Sequence, residues 1–230
     1  RPGGCVPAAR DSRAAAGRMK PSEVAAREWL GQLPETDDAA LARLDRLVAL
    51  LAEENSQQNL VSAKSLDEIW QRHIADSAQL LAHVPRETSP WMALGPGAGF
   101  PGLVIAALRP DCEVLLVESR ARRIAWLERA CKALELGKAQ VIGSRLELVE
   151  TRAVAAITAR AFAPLDRLLA LAARFSTKET IWVLPKGRSA QQELDALRNW
   201  RHRFHVKPSL TGPEAGIVVG TLVGGKGKAP

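Results

Sequence analysis

Gly95, Gly97 and Gly99 alternate between two apolar runs, W-M-A-L at 91–94 and L-V-I-A-A-L at 103–108. Such glycines let a chain turn sharply from strand to helix, with positive φ where needed, while a ligand lies against bare backbone. Pro101 suits the first helical turn, where no backbone donor is required. Roughly twenty residues on, the strand-like run 113–118 ends in an acid, Glu118, placed to accept hydrogen bonds from ribose hydroxyls. This pattern suits a cofactor that carries a nucleoside. Gly97, Gly99 and Gly102 also meet the G-x-G-x-x-G spacing of dinucleotide binding, so a nicotinamide or flavin cofactor fits the turn as well. A ligand-free turn needs only one of these four glycines.

Other candidates follow apolar strands. Arg160 comes after a strand at 155–158 and wants an anion or a stacking partner there. Lys186 follows a strand at 181–184 and is equally a loop charge beside Gly187. Ser144 and Glu147 have the spacing of a capping box. His73 and Asp76, three apart, share one face of a helix, which on spacing alone reads as a solvated polar face. No His or Cys follows a strand, so neither a nucleophile with an adjacent base nor a metal cluster is indicated. Tyr is absent from the chain, which leaves Lys186 as the one proton donor a hydride-transfer enzyme could use. The residues suit chemistry in which the cofactor brings the reactivity and the protein aligns two partners.

The elements that position these residues alternate. A short helix runs over 22–29, and Thr36, Asp37 and Asp38 cap a second, whose Leu41, Leu44, Leu47, Val48 and Leu51 form one buried face ending near Asn55. Ser65 with Glu68 predicts the start of a third helix, which carries Arg72, His73, Asp76 and Ser77. Beyond the glycine turn come a helix over 120–134 closed by Gly137, a strand over 139–142, and a helix begun by Pro164. Ser189 and Gln192 cap a helix running to Trp200. Two final strands, 204–208 and 217–222, have no helix between them. The expectation is an α/β fold: a mostly parallel sheet covered on both faces, with an antiparallel hairpin at its edge.

Composition narrows the setting. The net charge is +7, of which the first twenty residues carry +4 (Arg1, Arg10, Arg13, Arg18 and Lys20 against Asp11), leaving the remainder mildly basic. That permits a nucleic-acid partner without demanding one. Cys5, Cys112 and Cys131 have no C-x-x-C spacing, which fits a reducing cytoplasm rather than a disulfide framework or a zinc site. No apolar run approaches the roughly eighteen residues of a membrane span. The predicted organisation is a disordered leader over 1–20, a helical cap over 21–85, a catalytic domain over 86–223 and a disordered tail over 224–230. The run R-N-W-R-H-R-F-H-V-K at 198–207 interleaves basic residues with Trp200 and Phe204, a pattern suited to RNA or to a solvated helix end.

Several of these stretches together resemble one family. N-L-V-S at 59–62, R-H-I-A-D-S at 72–77, G-P-G-A-G-F-P-G at 95–102, G-S-R-L-E at 143–147 and A-R-A-F-A-P-L at 159–165 are similar to the glucose-inhibited division protein B family. The resemblance covers roughly residues 37–220. It implies a class I methyltransferase, Rossmann-like with seven strands and an N-terminal helical cap, acting as a monomer. The implied reaction uses S-adenosyl-L-methionine to methylate N7 of one guanine in the decoding-region loop of bacterial 16S rRNA, in the small ribosomal subunit or its precursor. By the same resemblance Gly95, Gly97, Gly99 and Phe100 line the cofactor, Glu118 holds its ribose, Leu146 and Glu147 flank its adenine, and Arg160 lies beside cofactor and target base. Asn59, His73, Asp76 and Ser77 match the family's N-terminal motifs, so His73 and Asp76 join Arg160 and Lys186 as catalytic candidates. No metal is implied.

The chemistry agrees with the residues present. Guanine N7 offers an in-plane lone pair and no proton, so attack on a methyl group needs no general base. Two positions depart from the family pattern: Ala93 stands where an acid is usual and Pro96 where a small hydroxyl residue is common. Both predict weaker cofactor binding. A dehydrogenase and a non-catalytic RNA-binding protein remain the competing readings.

Overall fold

The N-terminal helices follow from their caps. Ser22 Oγ accepts from Ala25 N at 3.0 Å and opens α1 (Glu23–Leu30); Asp37 Oδ1 accepts from Ala40 N at 2.7 Å and opens α2 (Asp38–Asn55). Each cap satisfies a first-turn donor that the helix leaves free. Leu44, Leu47 and Leu51 are fully buried, with Leu41 and Val48 half-buried beside them. The computed structural model describes residues 22–198 and 200–224. The expected leader, and the expected tail apart from Gly224, lie outside the described residues. Gly224 pairs with Arg201 in the last strand.

The third helix differs from expectation. α3 (Ala63–Asp67) is capped by Ser62, not Ser65. Ser62 Oγ accepts from Ser65 N, and Ser65 Oγ donates to the Ser62 carbonyl, so the reciprocal pair forms three residues early; Glu68 pairs with Arg72 instead. The chain then coils again as a wide π turn (Trp70–Ala75), the single turn α4 (Asp76–Ala78) and a 3-10 turn (Gln79–His83). Glu23 of α1 caps this restart from a distance, its carboxylate accepting from Trp70 N (2.9 Å) and Gln71 N (3.0 Å). Arg27 stacks 4.0 Å over the Trp70 ring and pairs with Asp45 of α2. These contacts fix the segment that carries His73 and Asp76.

The rest alternates as β1 (Trp91–Leu94), α5 (Gly102–Leu108), β2 (Val114–Glu118), α6 (Ala121–Ala133), β3 (Ala139–Gly143), β4 (Ala156–Ala159), α7 (Leu165–Ala172), β5 (Ile181–Gly187), α8 (Ala190–Asp195), β6 (Arg201–His202), β7 (His205–Pro208) and β8 (Gly216–Gly224). Strand order is β3-β2-β1-β4-β5-β8, and β6 and β7 both pair with the far side of β8. β1 to β5 are parallel; β8 runs antiparallel to β5. The expected edge hairpin is present, with β8 inside and β7 outermost. The described residues make eight strands rather than seven because the outer edge strand is interrupted at Arg203 and Phe204, which divides it into β6 and β7.

Alternation along each strand divides the core. Trp91, Ala93, Val114 and Leu116 face the helical cap with α5 and α6; Met92, Leu94, Leu115 and Val117 face α7 together with Trp182 and Phe204. Two helix ends depart from expectation. α6 is closed by Glu135 in the left-handed region (φ 55), not by Gly137, with Leu136 N donating to Cys131 O and Glu135 N to Lys132 O. α8 stops at Asp195 rather than running to Trp200, and the Ser189 hydroxyl serves Lys186 O and Glu193 instead of capping. The chain must leave the helix there for Phe204 to enter the core against Trp182.

Candidate active site

The strand order reverses beside β1, whose neighbours are β2 and β4, and a ligand crevice opens at the carboxyl ends of such strands. There Gly95 (φ 58) and Gly97 (φ 57) adopt a backbone that side chains strain. A Cβ at Gly95 would lie 2.6 Å from the Phe162 ring, and one at Gly97 would lie 2.8 Å from Arg123 Nη1. Glu118, 5% exposed at the end of β2, accepts from Gly97 N (3.3 Å) with one oxygen and from Ser119 N (2.8 Å) and Arg120 N (3.0 Å) with the other. These bonds hold the carboxylate beside the turn.

A cavity of about 220 Å³ lies here, walled by Leu94, Gly95, Glu118, Arg123, Leu146 and Phe162. Of the predicted cofactor residues, Gly95, Glu118 and Leu146 line it. Gly97 and Gly99 shape the turn behind it. Phe100 is buried beneath, stacked on His73 at 4.7 Å between ring centroids. Glu147 is exposed on a 3-10 turn (Leu146–Leu148) and lines neither this cavity nor the next.

A larger cavity, about 650 Å³, adjoins the first and shares Ala161 and Phe162 with it. Asp76, Arg160, Lys186, Glu193 and Ser209 face it. Arg160 Nη2 lies 2.6 Å from His73 Nδ1, and Nη1 donates to Arg72 O (3.1 Å) and approaches Asp76 Oδ2 (3.4 Å). Asp76 Oδ1 accepts from Thr211 Oγ1 (2.6 Å) and Gln79 Nε2 (2.9 Å), which ties it to the loop before β8. Burial, then the charges of Arg160 and Arg72, push the His73 pKa down to about 3, so the ring is neutral. Lys186 Nζ is engaged within the protein, donating to Ala163 O (2.7 Å) and pairing with Glu193 (2.9 Å).

His73, Asp76, Arg160 and Lys186 are therefore brought around one region from two distant parts of the chain. Ser77 does not join them: its hydroxyl donates to His73 O at 2.6 Å and is buried. Asn59 is exposed in the loop after α2. Ala93, 1% exposed, faces Gly102 of α5 and lines neither cavity. The Pro96 carbonyl accepts from Gly99 N and Phe100 N within the turn.

Sequence reasoning missed Phe162, which walls both cavities, and Arg123, which reaches over Gly97. The available signals were indirect: Phe162 follows a strand end, and Arg123 lies in the first turn of the helix after Glu118. Between the two cavities Ala161 has φ 52, a strained backbone of the kind that gathers at functional sites. Phe204, expected to stack on bases, is buried, and Trp200 Nε1 donates to Asp166.

The donor set fits a nucleoside cofactor: a side-chain-free cradle, a held carboxylate and the apolar walls Leu94 and Leu146. Among the described residues no group of His, Cys, Asp or Glu is arranged to hold a metal ion, and no helix is long and apolar enough to cross a membrane. Sheet order gives the molecule the fold of the class I methyltransferases. A SAM dependent methyltransferase from Aquifex aeolicus shares the fold at TM-score 0.54 and 10% identity, covering 77% of this chain and 98% of that one. A methyltransferase from Geobacter sulfurreducens does so at TM-score 0.52 and 13% identity, over 90% and 100%.

Sequence carries the assignment further: residues 40–209 match the family model of rRNA small subunit methyltransferase G (GidB), and the chain belongs to that family. Ribosomal RNA small subunit methyltransferase G of Novosphingobium aromaticivorans is 57% identical over 213 residues, covering 91% of this chain and 92% of the relative. The protein of the same name from Erythrobacter litoralis is 60% identical over 185 residues, covering 80% and 89%.

Proposed function

We propose that this protein transfers a methyl group from S-adenosylmethionine to N7 of a single guanine in the decoding-region loop of bacterial 16S rRNA, forming 7-methylguanosine. The observation that carries this reading is the junction of the two cavities at Ala161 and Phe162, in a chain of this family. When bound, the cofactor supplies an electrophilic methyl group on a sulfonium. Glu118 accepts from its ribose hydroxyls, the turn at Gly95 admits it to bare backbone, and Leu146 covers its adenine. The larger cavity takes the guanine.

No residue need remove a proton, because N7 has none. The protein's work is alignment and electrostatics around a base that becomes positive. Asp76, whose Oδ2 is its less engaged oxygen, offsets that charge, and the Asp76 carboxylate also tempers the cation of Arg160. Arg160 and His73 hold the helical cap (22–85) against the catalytic part (86–223), and Lys186 with Glu193 shapes the cavity wall. The substrate is the RNA within the small ribosomal subunit or its precursor, met by a monomer in the cytoplasm.

The test is incubation with tritiated S-adenosylmethionine and small subunits from a strain lacking the modification, followed by borohydride and aniline cleavage and primer extension. A single labelled guanine in the decoding-region loop is expected. Label elsewhere, or none while the cofactor still binds, overturns the assignment.

A further inference from the structure

The basic run over 198–207 is a strand edge, and its geometry gives it a direction. With His205 paired to Val219 and Lys207 to Ile217, and Arg203 N bonded to Thr221 O, the side chains of Arg203, His205 and Lys207 project from one face, while Phe204 turns into the core on the other. Arg201 extends the row beyond the register shift at the start of β6. All four are exposed, and none takes part in a salt bridge among the described residues. Same-face neighbours on a strand stand about 6.6 Å apart.

The row ends at the larger cavity. Lys207 and Pro208 pair with Ile217 and Gly216, which line that cavity with Ser209. Among the described residues β7 pairs only with β8, which leaves its outer edge without a strand neighbour. Charges on an edge strand also serve to block edge-to-edge pairing. Either sign of charge serves that purpose, yet no acid occurs from Ala196 to Pro213. A row that carries three unpaired cations, Arg201, Arg203 and Lys207, with no acid among them and leads to the larger cavity, fits a polyanion.

We propose that Arg201, Arg203, His205 and Lys207 form the docking track for the phosphate backbone of the substrate RNA, delivering the target guanine to the cavity faced by Asp76 and Arg160. This rests on the methyltransferase reading above. The track supplies electrostatic, sequence-independent affinity, and the cavity supplies the choice of base.

The test compares the intact protein with the double variant Arg203→Gln/Lys207→Gln and with a control, Lys132→Gln/Lys138→Gln, whose exposed charges lie at the end of α6 and just before β3, on the opposite edge of the sheet. Binding to small subunits lacking the modification and to naked 16S rRNA is measured over a range of salt, with cofactor affinity by calorimetry alongside. The track variant is expected to bind both RNAs on the order of tenfold more weakly, with the slope of log K against log salt reduced by about 2. Its cofactor affinity should be unchanged, and the control should behave as the parent. Equal losses in the control and the track variant, or an unchanged slope, overturn the track while leaving the methyltransferase reading standing if the parent still labels its guanine. A loss confined to assembled subunits assigns the surface to a ribosomal protein and overturns the RNA assignment. A parent that neither binds nor methylates RNA removes both readings.

Discussion

Arg160 Nη2 and His73 Nδ1 lie 2.6 Å apart across 87 residues of sequence, joining the end of β4 to the π turn of the helical cap. A guanidinium only donates, so Nδ1 must accept and the ring proton sits on Nε2. Protonating His73 would break this bond and set two cations together in a buried site.

That relationship gives stability a pH dependence. The ring's ordinary pKa near 6.5 falls to about 3 in the folded protein, through burial and then the charges of Arg160 and Arg72. Above about pH 6.5 the ring is neutral in both states and contributes no slope. As pH falls from there toward about 3, the unfolded chain binds a proton that the folded one refuses, so stability drops by up to about 1.4 kcal/mol per pH unit. Urea unfolding of the parent and of His73→Asn at pH 7.5, 6.5 and 5.5 reads the difference, which cancels any drift from His83 and His202. Parallel curves would sink the idea.

Arg160→Lys keeps the charge and loses the fork that reaches His73, Arg72 and Asp76 together. Charge-assisted hydrogen bonds of this kind contribute about 1.5–3 kcal/mol. Turnover of RNA, read as kcat/KM, should fall by roughly ten- to a hundredfold, while cofactor affinity by calorimetry stays near the parent's because Arg160 lines only the larger cavity. A variant that loses cofactor binding in proportion would move Arg160 to the other cavity.

Gly95→Ala and Gly97→Ala separate strain from collision. Both positions have φ near +57, where any side chain costs about 1 kcal/mol. At Gly95 the added methyl also meets the Phe162 ring, whereas at Gly97 it meets only the tip of Arg123, which can swing away. Calorimetry should find cofactor affinity reduced at least about tenfold further in Gly95→Ala than in Gly97→Ala. Equal losses would mean that Phe162 moves as freely as Arg123.

Glu135→Gly should stabilise the protein by about 1 kcal/mol. Glu135 occupies the left-handed position that ends α6, with φ 55, where glycine is free of the Cβ penalty. Thermal or urea unfolding measures the gain; a loss of stability would show that the Glu135 side chain contributes more than its backbone strain costs.

Strand and helix succession was legible from residues 91–224 because it rests on local pattern: apolar runs, the glycine turn, and Glu118 closing the second strand. The same pattern announced the cofactor side of the site, since glycines and an acid at strand ends act within a few residues of each other. The motif resemblance added the reaction. Tertiary structure alone decided which distant groups meet. His73 and Asp76 read as a polar helix face until the cap, pinned by Glu23 and Arg27, set them against Arg160. Phe162 gained its place between the cavities from the turn at Ala161, and Lys186 was drawn into the wall by Glu193 of the next helix. The end of α8 at Asp195 escaped prediction because the core, not the local cap signal, determined where that helix stopped, whereas α6 ends within a residue of the expected 134 and only its left-handed position moved from Gly137 to Glu135. Periodicity and turn chemistry are short-range and are written in the sequence; the pairing of charged groups across the sheet depends on packing between segments that no local pattern records.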